Sequence, residues 1–483
     1  MTGLFQYKKR FITRWCWLLL LLAATTGCKK YVEVPLPVGT IAGSTVFQSD
    51  ATSAGALSAV YSQLYSQGDF DGWGGLGCVT GLYGDELKNW FNYPNQLALY
   101  GDGATSALYT VTNYWTNFYG QLYSVNLAIE GLKTPNSNLN YSNQWLGEAY
   151  FLRGLMYFYL TNAYGDVPLV LGSDYLANNQ LARSPQANVY KQIVADLKQA
   201  QSLLDSKYHN AAGAVTTDRG RPSRSAAMAL LARVYLYTQD WTDAESMTDS
   251  LIADAADFQM TALSKTFLLN SSEIIWGIEP YNSSGYYNNY QVGDANGYYL
   301  PAGVTPTAAY KLATMSDSLV ASFEPGDARK SNWVGKDSVS PSAVYYYPAK
   351  YKGRGPYTSP VEMIALFRLA EQYLIRAEAR AQQNNLTAAS ADLNTVRARA
   401  GLSATTAITQ SDLLAAILRE RRVELFTEGH RFWDLRRTGN LDAVMNVIAP
   451  LKGGSWASYK AWWPIPAADI QSDLHLTQTP GFQ

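Results

Sequence analysis

From residue 53 onward the chain places apolar side chains at steps of three and four, the spacing that gathers them on one face of an α-helix. Six segments show it over long stretches: 53–67, 108–132, 143–163, 188–205, 223–238 and 241–253. Their ends carry matching punctuation, with Thr134-Pro135 and Gly165-Asp166-Val167-Pro168 as stops and Ser184-Pro185 as a start. Two closing helices are expected over 412–426 and 431–437, ahead of a proline-rich tail. The pattern breaks in two places. Residues 68–103 and about 267–360 are irregular, the second rich in Tyr, Gly, Asn, Ser and Pro, with 273–278 (EIIWGI) reading as a short strand. Long stretches without regular structure inside a compact protein are usually functional loops.

Two helical pairs are more specific. Leu231, Ala232 and Tyr235 followed by Trp241 and Ala244 show the small/large alternation of a tetratricopeptide-type hairpin, where small residues let two helices approach and large ones fill the groove. Residues 371–400 repeat the scheme, with Asn384-Asn385 as the turn. Any antiparallel helix pair can carry such alternation. Two of them more than a hundred residues apart predict a mainly α fold: a tetratricopeptide-like helical-hairpin frame with an irregular, Tyr-rich loop insert carrying short strands. The expected division is a helical region over 41–265 and a C-terminal region over 266–483 holding the insert, the two forming one unit.

The first residues are a different kind of segment. Lys8, Lys9, Arg10 and Arg14 precede an unbroken apolar run over 15–24, long enough for a secretion signal and too short to span a bilayer. Ala-Thr-Thr-Gly-Cys (24–28) then sets small residues before a cysteine, as a bacterial lipoprotein signal does, although Thr25 stands where Leu is usual. The expectation is a signal peptide over 1–27, a lipid on Cys28, and a tether over 28–40. Cys16 leaves with the signal, so Cys78 alone remains and no intramolecular disulfide is possible.

Composition narrows the function. The signal holds four basic residues and no acidic one, so removing it leaves a chain more acidic than the formal −1 of the whole sequence. That disfavours nucleic acid, which requires a basic face. With 35 Tyr and 13 Trp against 16% charged residues, some rings should line a binding surface, because a buried phenol or indole needs a polar partner. His209, His430 and His475 lie far apart, without a second ligand at metal spacing, and no Gly-x-Ser-x-Gly elbow or phosphate loop is present.

Residues 420–437 (ERRVELFTEGHRFWDLRR) resemble the C-terminal signature of SusD/RagB proteins, the outer-membrane nutrient-binding lipoproteins of Bacteroidetes. Segments 115–132, 148–171, 220–241, 373–402 and 463–482 agree with the same family in order. The terminal Gln478-Thr479-Pro480-Gly481-Phe482 departs from it in Thr479 and Phe482, and Glu33 is the one acid after Cys28 where the family's surface-export signal carries several. The resemblance implies a lid on a TonB-dependent, SusC-like β-barrel, facing the cell exterior, that binds oligosaccharides, or peptides in some members. It implies no catalysis and no obligatory cofactor, though a divalent cation held by loops stays open.

Within the signature, Glu420, Arg421, Arg422, Glu424 and Glu428 have spacings suited to ion pairs along a helix face. Asp434 could pair with Arg431, Arg436 or Arg437, while Phe432 and Trp433 supply packing area; an anion site on the arginines is the alternative. Glycan binding needs flat rings beside amides and carboxylates. Residues 85–93 (DELKNWFNY) hold that mixture, and the resemblance points to Trp90 with Asn92, or Tyr93, there. It also points to Tyr286, Tyr287, Tyr290, Tyr298 and Tyr299 in the insert, with Trp73 a further ring. Competing readings are a glycoside hydrolase using Asp85, Glu86 or Glu273, and a helical scaffold that binds only protein.

Overall fold

Eight helices run through the chain so that each packs on the next: Tyr109–Lys133, Ser142–Tyr164, Gln186–Leu203, Arg224–Thr238, Trp241–Ala253, Leu369–Gln382, Leu386–Arg399 and Gln410–Glu424. The computed structural model describes residues 46–134, 138–282, 290–309, 311 and 313–482. Cys28, Tyr286 and Tyr287 lie outside them. Residues Phe47–Gln483 form a single unit. Among the described residues no helix is long and apolar enough to cross a membrane.

The alternation in the sequence does what hairpin packing requires. Ala226, Ala227, Ala229 and Ala232 are fully buried, so helix Arg224–Thr238 approaches its neighbours closely. Ala377, Ala381 and Ala389 play the same part in the later pair, with Leu374, Leu393, Val396, Leu413 and Ile417 filling the space between. The turns use left-handed residues, Gln239 at φ 61° and Asn384 at φ 61°. Asp240 then caps helix Trp241–Ala253, accepting from the Asp243 N–H. Helix Ser142–Tyr164 is buried on all sides and is the centre of the frame. Its interior charges are paired: Arg153 donates twice to Asp196, at 2.8 and 2.6 Å, and Glu148 receives Arg221.

The insert lies between the two hairpins: helix Trp241–Ala253 ends the first and packs directly on Leu369–Gln382, which opens the second, so the chain leaves the frame at 254 and returns at 368. Strands Ile274–Ile278 and Ile364–Arg368 pair antiparallel at the neck, with Ile274 opposite Arg368 and Ile278 opposite Ile364. Both are buried throughout, which is why neither shows alternation in sequence. Arg233 closes the frame across this point, donating to both oxygens of Glu371 at 2.7 and 2.6 Å.

The irregular stretches contain more structure than their composition suggests. Residues 68–103 hold two short helices, Leu76–Tyr83 and Pro94–Tyr100, and a strand, Leu87–Asn89. That strand pairs with Ala313–Met315 of the insert, Leu87 opposite Met315 and Asn89 opposite Ala313. A hairpin of Val334–Ser340 and Ala343–Pro348 packs beside it. A further helix, Leu441–Leu451, occupies the tail.

The charged signature fastens the insert to the frame. Glu424 is fully buried and accepts from Arg329, Arg368 and Arg399. Glu428 receives Arg368 at 2.8 Å and Lys350, and Glu420 receives Arg329 at 2.6 Å. Arg329, Lys350 and Arg368 belong to the insert and its neck, whereas the three glutamates sit on or just after helix Gln410–Glu424. These pairs therefore join segments 56 to 95 positions apart and do not run along one helix face. Burial alone would raise the Glu424 carboxyl, but Arg399, Arg368 and Arg329 hold it well below the ordinary range. Asp434 pairs with Arg437 and Arg421, each at 2.8 Å. Arg431 goes instead to Asp85, and Arg436 donates to the Asn162 and Ala461 carbonyls. Trp433 is buried and approaches Tyr159 at 5.9 Å between centroids.

Candidate aromatic binding face

Strand Leu87–Asn89 ends in a turn that its own last residue fixes. The Asn89 amide donates to the Phe91 carbonyl at 2.9 Å, and its oxygen accepts from the Phe91 N–H at 3.1 Å. This local lock sends Trp90 one way and Phe91 the other. Phe91 is buried, with its ring 4.4 Å from that of half-buried Trp73 and 5.1 Å from that of Tyr93. Tyr93 itself is 53% exposed, and Asn92 beside it is exposed.

Trp90 is half-buried. Its indole N–H donates to the Thr314 hydroxyl at 2.8 Å, and its ring meets Tyr345 edge to face at 5.3 Å. With the polar end of the indole engaged, the ring offers outward only its apolar surface. Tyr345 and Tyr347 are two apart on strand Ala343–Pro348 and so share a face. Tyr347 continues the row to Tyr299, ring centroids 5.9 Å apart, and Arg354 stacks its guanidinium 3.7 Å over the Tyr299 ring. Tyr347 lies over Gly335, its partner in the strand register, where an added Cβ would overlap the ring. Trp90, Tyr345, Tyr347 and Tyr299 thus form one row of half-exposed rings, with Arg354 at one end and Asn92 and Tyr93 on the Trp90 loop. The tract Tyr345-Tyr346-Tyr347 is too polar in context for a core, but it is not among the expected ligand contacts; the i, i+2 spacing in a strand is the signal that picks out Tyr345 and Tyr347.

Several expected residues lie elsewhere. Tyr298 is 2% exposed and packs with Cys78, Leu82, Leu87 and Ala313, so it supports the face from behind and presents nothing to a ligand. Burial, followed by the Cys78 and Asp294 neighbours, drives its phenol well above the usual value. Tyr290 lines a different cavity of about 350 Å³, together with Tyr61, Tyr281, Arg221 and Glu279.

Asp85 and Glu86, expected on a loop, are buried. Burial pushes the Asp85 carboxyl up, but Arg422 and Arg431 outweigh it and hold the group below its ordinary value. Glu86 is pushed up to about 8 by burial and then by the Asp85 charge. Glu273 is fully buried between Arg368 and Arg399. None of these three carboxylates reaches the surface as one of a catalytic pair across a cleft. Among the described residues, no group of three or more His, Cys, Asp or Glu side chains is arranged to hold a metal ion.

Comparison with known proteins decides the family. A model described as the SusD family matches residues 343–482, and one described as starch-binding associating with outer membrane matches residues 79–236, together more than half of the chain. The chain belongs to the SusD/RagB family. The SusD-like protein P2 of Formosa agariphila is 25% identical over 93% of this chain and 96% of its own length. A SusD superfamily protein from Bacteroides vulgatus superposes with a TM-score of 0.78 at 22% identity, covering 90% of this chain and 99% of that one. A laminarin-binding SusD-like protein gives 0.75 at 22% identity, covering 90% and 100%. The helical frame and its insert are therefore a SusD fold, and the row of rings sits where the frame brings its two irregular stretches together.

Proposed function

We propose that this SusD-family protein is a cell-surface lipoprotein that binds oligosaccharides on the Trp90–Tyr345–Tyr347–Tyr299 row and passes them to a TonB-dependent, SusC-like β-barrel. The observation that carries the reading is the row itself: four neighbouring rings, half-exposed, on a strand platform held rigid from behind. Flat apolar surfaces suit the C–H faces of sugar rings, while the Asn92 amide and the Arg354 guanidinium can bond the hydroxyls at their edges. A platform ordered before the ligand arrives loses little entropy on binding.

The family model's description and the laminarin-binding relative support a glycan over other ligands. Which glycan is a matter of loop detail that a relative at 22% identity does not transfer. Anchoring through a lipid on Cys28 and the outward orientation come from the sequence signal and the family.

Affinity electrophoresis against laminarin, starch and a panel of further polysaccharides and peptides tests the proposal. At least one polysaccharide should retard the protein, and Trp90→Ala should weaken that retardation by about tenfold or more, as loss of a central aromatic contact does. The polysaccharide should be recovered unshortened. Unretarded migration on every gel, together with no β-barrel co-purifying from solubilised membranes, would sink it.

A further inference from the structure

Away from the aromatic face, the last helical hairpin leaves an open cavity of about 770 Å³ beside helix Gln410–Glu424. That volume is in the range of ligand pockets, about 300–1,000 Å³. Its charge is one-sided. Arg419, Arg422, Arg431 and Arg437 line it against a single carboxylate, Glu378, which Arg437 already holds. Arg422 and Arg431 share one acid, Asp85, behind the wall. The Arg422 Nε is buried with no hydrogen-bond partner, and Arg419 is exposed with no carboxylate within ion-pair distance among the described residues. Guanidinium groups in excess of acids, in a partly water-excluded groove, favour a ligand that brings carboxylates.

The shape says more. A second cavity of about 320 Å³ shares Ser322 and Arg419 with the first, but there Glu324, Asp327 and Glu420 balance Arg329 and Arg397, so the excess of positive charge belongs to the first cavity. The first cavity's volume of about 770 Å³ suits a chain segment better than a compact ion. The apolar part of the lining is aliphatic, Leu414, Ala415 and Leu418, with Trp241 the one aromatic ring. Sugar rings favour flat aromatic surfaces, as on the Trp90 face, whereas aliphatic patches between arginines match leucine and valine side chains alternating with acids.

We infer that this groove is a docking site for an extended acidic peptide segment of a partner protein, held by Arg419, Arg422 and Arg431 through its carboxylates and by Leu414 and Leu418 through its aliphatic side chains. The site is separate from the glycan face, so the two can be occupied together. Its attraction is electrostatic at range, so association should slow as salt rises.

Fluorescence anisotropy on the full-length protein tests it with three labelled probes: a peptide alternating Glu and Leu, its Lys/Leu counterpart, and a polyuronate oligosaccharide. The Glu/Leu peptide should bind, and the other two should bind at least about tenfold more weakly, because one lacks the charge and the other the aliphatic contacts. Arg419→Glu, an exposed change outside the buried ion pairs, should weaken the Glu/Leu peptide by about tenfold or more, and Arg419→Lys should largely restore it. Equal binding of the Lys/Leu peptide, or indifference to Arg419→Glu, overturns the site. Tighter binding of the polyuronate overturns the peptide assignment in favour of an acidic glycan.

Discussion

Glu424→Gln is the sharpest single perturbation of the lattice that ties the insert to the helical frame. The substitution keeps the shape and removes one charge from a fully buried carboxylate that faces three guanidiniums. Breaking a buried pair by removing one partner costs about 3–5 kcal/mol. The lower end applies, near 3 kcal/mol, because each cation keeps another acid: Arg329 keeps Asp327 and Glu420, Arg368 keeps Glu273 and Glu428, and Arg399 keeps Glu273. The loss should be local. Hydrogen exchange monitored by mass spectrometry should quicken in 313–348 and 410–424 while helix Ser142–Tyr164 stays protected. The pH dependence follows from the sign of the shift. The Glu424 carboxyl is held below its unfolded value of 4.5, so its contribution is present above that value and lost as pH falls through the folded one. The gap between the two proteins should therefore close in acid. Unchanged exchange in 313–348 at neutral pH would refute the idea that this lattice holds the insert.

Gly335→Val should push the Tyr347 ring off the strand it crosses and break the row between Tyr345 and Tyr299, weakening polysaccharide retardation about as much as Trp90→Ala while circular dichroism stays unchanged. Recovery of wild-type retardation by the Val variant would show that Tyr347 is not part of the surface. Asp71→Asn should flatten the stability profile between pH 3.8 and about 7. Burial, and then the Asp69 charge after a bond from Gly293 that opposes it, lifts the Asp71 carboxyl from 3.8 to about 7, so the fold binds a proton the unfolded chain releases. Wild-type stability from this group is full below 3.8 and lost as pH rises towards 7; urea melts should show the Asn variant gaining on wild type from pH 3.8 to about 7 and keeping a constant lead above it.

The frame was legible because repeat packing is written in periodicity, and periodicity survives any number of residues inserted elsewhere. Leu231, Ala232 and Trp241 identified one hairpin and Asn384-Asn385 the turn of another. Nothing local could say that Trp241–Ala253 would pack on Leu369–Gln382, because that contact spans the whole insert. Asp434 does pair with Arg437 three positions on, as spacing suggested, but the pairs of the glutamates failed in the same way. Spacing along one helix suggested partners for Glu424 within the signature, whereas its actual partners arrive from Arg329, Arg368 and Arg399. A buried acid takes whichever cations the tertiary fold delivers, whether or not they share its helix. The candidate face was half legible for a related reason. Trp90, Asn92, Tyr93 and Tyr299 stand in polar surroundings that mark a surface, but Tyr298 has the same surroundings and is buried. What separates Tyr298 from Tyr299 is which of two adjacent side chains turns inward, a choice made by the Leu87–Asn89 and Ala313–Met315 pairing against the cluster around Cys78. One strand register therefore fixes both the support of the face and the identity of its rings. Changes at Gly335 or in that register should alter ligand choice more readily than changes anywhere in the repeat helices.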